Sequence, residues 1–121
     1  MVAEYDEHVV GFMIYELHKT RLHILNFAVH PEFRRSHIGL QMVSKLRSKL
    51  SYQRRTQITL EVRETNLEAQ LFFRGQGFRA INVLHGYYED SPEDAYLMEY
   101  RYKQDATEMI LPFNRITRLA G

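Results

Sequence analysis

At 121 residues the chain has the length of a single domain, large enough for a real core. With 45% hydrophobic and 26% charged residues it reads as an ordinary globular protein, and a net charge of +1 excludes a strong overall pull toward nucleic acid or membrane. The absence of cysteine excludes disulfides, thiolate metal sites and a cysteine nucleophile and fits a cytoplasmic chain; no apolar run approaches a membrane span.

In chain order, residues 2–5, a polar turn at Asp6-Glu7 and residues 8–17 predict a β-hairpin, with Gly11 placed for a bulge. After a polar turn over 18–21, the run 22–29 predicts a strand apolar on both faces, which belongs in the middle of a sheet covered on both sides. Pro31 ends its pairing, because proline has no N–H to give. The apolar spacing then changes to Met42/Val43, Leu46 and Leu50, predicting an amphipathic helix over about 38–50. Residues 57–62 alternate, with Ile58, Leu60 and Val62 on one side and Gln57, Thr59 and Glu61 on the other. Strand, helix, strand in this order makes a right-handed crossover with parallel strands.

Thr65-x-x-Glu68 predicts a capping box opening a short helix, with Leu67, Leu71 and Phe72 available for burial and Gly75 or Gly77 closing it in a left-handed turn. Residues 78–84 and 95–102 predict two further strands joined by the polar loop 86–94. In the tail 103–121, Met109-Ile110-Leu111-Pro112-Phe113 suits a sheet edge, while Pro112 argues against a central strand.

The junction after residue 29 sets a helix N-terminus beside the carboxyl end of a buried strand. Such a place binds anions: the first turn has N–H groups without intrahelical partners, the helix dipole is positive there, and Arg34 and Arg35 add charge. A pyrophosphate cradle is one reading; the plain one has solvated arginines and a glycine, Gly39, that merely permits a tight turn. Glu61 also has two readings. A carboxylate in a partly dry cleft suits proton removal, whereas on an exposed sheet face it is a solvated or ion-paired group. Asn66 reads as a helix cap. The six histidines lack helical metal spacing, which predicts no metal, and Lys45, Arg47, Lys49, Arg54 and Arg55 read as a solvated basic surface rather than an RNA face.

The run Ala28-Val29-His30-Pro31-Glu32-Phe33-Arg34-Arg35-Ser36-His37-Ile38-Gly39 resembles the acetyl-CoA loop of the GCN5-related N-acetyltransferase (GNAT) family, whose pattern is Arg/Gln-x-x-Gly-x-Gly/Ala. Leu60-Glu61-Val62-Arg63-Glu64-Thr65-Asn66, continuing to Phe72-Phe73-Arg74-Gly75-Gln76-Gly77-Phe78, resembles the family's next strand and helix. Residues 86–98 are similar to the ribosomal-protein alanine N-acetyltransferase branch. The three segments occur in the family's order and cover most of the chain.

The resemblance implies an α/β (α+β) fold: a mixed, mostly antiparallel sheet with helices on both faces and a parallel strand pair, 22–29 and 57–62, that splays to admit the cofactor's arm. It implies a GNAT domain over 1–102, followed by the tail 103–121. Acetyl-CoA is then the co-substrate, held by Ala28, Val29, Arg34, Arg35, Ser36, His37, Ile38, Gly39, Leu40, Asn66 and Phe73. The acceptor is a primary amine, of a protein N-terminus or a small molecule, which attacks the thioester directly. Glu61 is implied as general base, and backbone N–H groups around Ala28 and Val29 as the donors to the carbonyl and its developing oxyanion.

Three departures keep a second reading open, a non-catalytic acyl-CoA-binding or interaction domain. His37 stands at the pattern's first glycine. Phe73 stands where the family has its tyrosine acid, leaving Tyr87 and Tyr88 as substitutes, although in the resembling branch this pair mainly contacts the peptide. The family's first strand and two helices, one wall of the acceptor groove, have no counterpart in the sequence in hand. Either the chain is a truncated or late-starting version of the family's domain, or the tail or a partner chain, as in a homodimer through the sheet edge, fills that edge. The acidic loop Glu89-Asp90-Ser91-Pro92-Glu93-Asp94 reads as a solvated turn, or as negative charge that attracts a cationic amine.

Overall fold

Asp6 and Glu7 take positive φ, 51° and 67°, the handedness that a two-residue hairpin turn needs between β1 (Val2–Tyr5) and β2 (His8–Leu17). The computed structural model describes residues 1–34 and 36–103, so Arg35 and almost all of the expected tail lie outside the described residues. The elements that follow are β3 (Arg21–Val29), a 3-10 turn (Pro31–Phe33), α1 (Ile38–Arg47), β4 (Gln57–Arg63), α2 (Leu67–Gly75), β5 (Arg79–Leu84) and β6 (Ala95–Arg101). They build a six-stranded sheet in the order β1-β2-β3-β4-β6-β5, antiparallel throughout except for β3 with β4.

The parallel pair is short. Arg21 pairs with Gln57, Leu22 with Ile58 and His23 with Thr59, and there the ladder stops. Beyond that point β3 stays with β2 and β4 stays with β6, so the sheet opens into a wedge at the carboxyl ends of β3 and β4. The cause is visible in the β2–β3 register: Ile14 pairs with Asn26 and Tyr15 with Ile24, which leaves Leu25 as an extra residue on β3. An extra residue bends its strand, and this bend falls two residues after the last β3–β4 pair.

Alternation along β4 sends Ile58, Leu60 and Val62 into the core with Met42, Val43 and Leu46 of α1 and Phe73 of α2. Both helices therefore pack on one face of the sheet, a correction to the expected helices on both faces. They also touch each other: Arg47 donates to the Gln76 carbonyl at 3.1 Å, and a Cβ at Gly39 would stand 3.1 Å from the Phe72 ring. The opposite face carries Thr59, Glu61 and Arg63, and no helix among the described residues covers it. That is why β3 is not covered on both sides; Leu25 is 56% exposed and Asn26 is exposed too.

Four local expectations change. The extra residue of the first hairpin is Val10, not Gly11, which is needed where a Cβ would meet the Ala28 carbonyl oxygen and the Met42 sulfur at 3.2 Å. Helix α1 ends at Arg47 because Lys49 and Leu50 bond three residues back, although Leu50 stays buried. The cap of α2 is Asn66, whose side-chain oxygen accepts from Ala69 N at 3.1 Å; the Thr65 hydroxyl donates to Glu93 instead, so the capping box does not form. Leu67 and Leu71, one turn apart, point outward at 61% and 58% exposure, and Phe73 is the residue that α2 buries. Gly77, at φ +94°, supplies the left-handed turn that follows the helix.

Candidate functional site

The loop from His30 to His37 is wound by its own short bonds: Glu32 N donates to His30 Nδ1 at 3.2 Å, and the Ser36 hydroxyl donates to the Phe33 carbonyl at 2.7 Å. It delivers His37 to the N-cap of α1 at φ 68° and ψ 13°, the left-handed conformation for which glycine is the usual residue. The ring of His37 makes no capping bond. The first bond of the helix runs from Gln41 N to the His37 carbonyl, so the N–H groups of Ile38, Gly39 and Leu40 have no acceptor within it.

Beside this turn lie two adjoining cavities, of about 250 and 330 Å³, that share Arg34, Gly39 and Phe72. The first runs from Ala28 and Val29 to Asn66 and Phe73, and the second from His37 and Leu40 to Gln76. Ser36 and Ile38 line neither: the Ser36 hydroxyl is engaged by Phe33, and Ile38 packs against the core. Arg34 donates to the Val29 carbonyl at 3.4 Å and faces Glu68 at 3.7 Å, both side chains largely exposed. Phe73 is 3% exposed, with Phe72 and Phe78 each 5.1 Å away between ring centroids.

His30 N donates to the Val10 carbonyl, so the backbone of Ala28, in phase with it, is directed to β2. The backbone groups of Phe27 and Val29 turn the other way, into the wedge. Of the two residues expected to present amides there, Val29 does so, while the Ala28 backbone is spent on β2 and Ala28 only lines the cavity.

On the far side of the wedge stands Glu61, its side chain 18% exposed. His23 Nε2 lies 3.0 Å from Glu61 Oε1, and His23 Nδ1 lies 2.6 Å from the Thr59 hydroxyl. The two contacts fit one tautomer, with Nε2–H donating to the carboxylate and Nδ1 accepting from threonine. His23 was not singled out in the sequence. Its signal was parity: parallel pairing sets it opposite Thr59, on the face that Glu61 shares.

The two tyrosines, edge to face with each other, meet different partners. Tyr87 lies beside Glu61; partial burial and then that carboxylate push its phenol above the ordinary value, so it keeps its proton. Tyr88 lies over Arg63, with the guanidinium carbon 3.8 Å from its ring centroid. The expected solvated acidic turn is instead docked. Arg63 donates to Glu93 at 2.6 Å and to both Asp90 oxygens at 3.2 and 3.3 Å, while Asp94 accepts from Gly86 N at 3.1 Å and meets His85 at 2.9 Å. The Thr65 hydroxyl and then Arg63 hold Glu93 below the usual carboxylate range, as Gly86 N and then His85 hold Asp94. Arg63 is one cation against the four carboxylates of Glu89, Asp90, Glu93 and Asp94, so the docked loop stays acidic on balance.

The family model of the acetyltransferase (GNAT) domain matches residues 1–80. An uncharacterized N-acetyltransferase of Methanocaldococcus jannaschii is 37% identical over 98 residues, which cover 80% of this chain and 62% of that protein. A putative [ribosomal protein bS18]-alanine N-acetyltransferase of Bacillus subtilis is 28% identical over 98 residues, or 81% of this chain and 65% of that protein. Among solved structures, Chaetomium thermophilum Naa20 in complex with a bisubstrate analogue matches with a TM-score of 0.78 at 28% identity, covering 88% of this chain and 67% of that one. The chain thus spans a little under two thirds of the curated relatives' length. A family match to residues 1–80 of 121, on a sheet that splays at its parallel pair, makes this chain a member of the GNAT acetyltransferase family.

Proposed function

We propose that the chain transfers the acetyl group of acetyl-CoA to a primary amine, with a protein N-terminus as the acceptor. One observation carries this reading: the wedge between β3 and β4 joins a groove floored by the free amides of α1 to a polar face on which Glu61 and His23 meet. The names of the relatives, among them an alanine N-acetyltransferase, support the choice of acceptor.

In this proposal the diphosphate lies against the Gly39 and Leu40 amides with Arg34, joined by Arg35, while the pantetheine arm passes Asn66 and Phe73 into the wedge. The Phe27 backbone and the Val29 N–H face the thioester. Glu61 takes the proton of the incoming ammonium on the oxygen that His23 leaves free. The amine nitrogen then bonds to the carbonyl carbon and the C–S bond breaks; the coenzyme thiolate takes a proton from Tyr87, the amide nitrogen gives its second proton to the resulting tyrosinate, and Glu61 returns its proton to solvent. Amide and free coenzyme are the products, and no covalent enzyme intermediate is needed.

The test is thiol release from acetyl-CoA with short peptides that differ in their first residue, parent chain against Glu61→Gln. Transfer to at least one peptide, lost in the variant, is expected. A cytoplasmic setting belongs to the same proposal; no helix among the described residues is long and apolar enough to cross a membrane. So does self-association, which edge strands β1 and β5 support and which sedimentation would measure.

A second reading, coenzyme binding without transfer, is favoured by Phe73, a ring with no proton to give at the inner end of the cavity. Acetyl-CoA binding with no thiol release on any peptide or small amine would select it.

A further inference from the structure

We propose that Arg63 is the positioning residue of the acceptor side: it fastens the β5–β6 loop across the end of β4 and thereby sets Tyr87 beside Glu61. Its consequence for turnover rests on the transferase reading; its geometry does not.

The loop has no hydrophobic anchor. Not one residue from Gly86 to Asp94 is buried, so apolar packing does not fix it and polar ties must. Its C-terminal end is held by Glu64, whose N donates to the Asp94 carbonyl at 3.0 Å and whose side-chain Oε1 accepts from Asp94 N at 2.8 Å. The middle converges on Arg63, with the Thr65 hydroxyl donating to Glu93 beside it. Arg63 stands two residues after Glu61, hence on the same face of β4, and its planar fork takes Glu93 with Nη1 and both oxygens of Asp90 with Nη2.

The same guanidinium lies 3.8 Å from the Tyr88 ring centroid, and the Tyr88 ring in turn meets Tyr87 edge to face at 5.0 Å and 88°. A chain of contacts therefore runs from Arg63 through Tyr88 to Tyr87. The last member of that chain is the phenol beside the carboxylate that removes the proton. A lysine in place of Arg63 keeps the charge but has no fork and no plane, so it serves one carboxylate and leaves the stack.

The experiment compares the parent with Arg63→Met, Arg63→Lys and Glu93→Gln, using thiol release with short peptides beginning Ala, Ser or Met. Arg63→Met is expected to raise the peptide KM at least about ten-fold while the acetyl-CoA dissociation constant stays within about two-fold, with Arg63→Lys and Glu93→Gln in between. Adding Tyr87→Phe to Arg63→Met should lower kcat/KM by less than it does in the parent, because the two act through one chain of contacts. A peptide KM within about two-fold of the parent overturns the proposal, and so does a loss of acetyl-CoA affinity as large as the loss for peptide.

Hydrogen exchange separates this from the transferase reading. In Arg63→Met, protection of the 86–94 amides should fall at least about ten-fold relative to those of β4 and β6; unchanged protection overturns the clamp. If the parent acetylates no peptide at all, the transferase reading falls, and exchange alone decides whether Arg63 holds the loop.

Discussion

His23 and Glu61 meet across the parallel pair, Nε2 to Oε1 at 3.0 Å, at the point where the two strands part. The last β3–β4 pair is His23 with Thr59, and Glu61 is the next residue of β4 on the same face. The contact therefore closes the narrow end of the wedge and orients the carboxylate toward its open end. Glu61→Gln is expected to lower kcat about 100-fold or more, the usual range for loss of a positioned base, and His23→Phe by about ten-fold through misorientation of that base. Acetyl-CoA affinity should change in neither, which calorimetry checks.

His37 holds a left-handed conformation that disfavours a side chain. Its φ of 68° disfavours any Cβ by about 1–2 kcal/mol, against about 0.5–1 kcal/mol for the extra chain entropy that glycine loses on folding. His37→Gly should raise stability by about 0.5 kcal/mol, a gain of about 2–4 °C in melting temperature. It should also tighten acetyl-CoA, since His37 lines the groove proposed for the coenzyme. Thermal melts with and without acetyl-CoA separate the two effects.

Arg34 is shared between Glu68 and the groove. The pair is exposed and 3.7 Å apart, so its own contribution is small, about 0–1 kcal/mol. A carboxylate in the wall of the groove proposed for the coenzyme works against an anionic ligand, however, and it holds the cation that would help. Glu68→Gln should tighten acetyl-CoA by about two- to five-fold at low salt, and the gain should shrink as salt rises. Calorimetric titrations at two ionic strengths measure both.

Phe73→Tyr is expected to separate stability from activity. The ring sits 5.1 to 5.9 Å from those of Phe27, Phe72 and Phe78, so an unpartnered hydroxyl there costs about 1–2 kcal/mol. The same residue lines the cavity that leads to the wedge, where the hydroxyl supplies a proton donor that Phe73 lacks. A lower melting temperature together with a higher kcat is the expected pair of results.

Acid should undock the β5–β6 loop. Glu93 sits below its ordinary 4.5 through Thr65 and Arg63, and Asp94 below its ordinary 3.8 through Gly86 N and His85. A carboxylate with a depressed folded value contributes stability that is complete above its unfolded value and is lost as pH falls through the folded one. The loss should therefore begin near pH 4.5 and deepen below it. In Glu93→Gln the melting temperature should be lower at neutral pH and fall less steeply between about pH 5 and 3.

Much of this was legible in the sequence because it follows from period and punctuation. Alternation over 57–62 gave β4 and the face of Glu61, and Pro31 followed by a change of spacing gave the strand-to-helix junction. What escaped was set by neighbours distant in sequence. Leu25 reads as one more apolar residue of a buried strand, and the β2 register makes it a bulge. Thr65 reads as a cap, but its hydroxyl goes to Glu93, 28 residues away. His23 and Arg63 hide for the same reason: each is an ordinary strand residue until tertiary pairing brings it a carboxylate.

Isothermal titration of acetyl-CoA into the chain tests the central claim most directly, because every proposed step needs the coenzyme seated against the first turn of α1. One-to-one binding with a dissociation constant below about 100 μM is expected, weakened by Gly39→Val, whose side chain would press on the Phe72 ring. No heat and no thermal stabilisation at about 1 mM acetyl-CoA would contradict the claim.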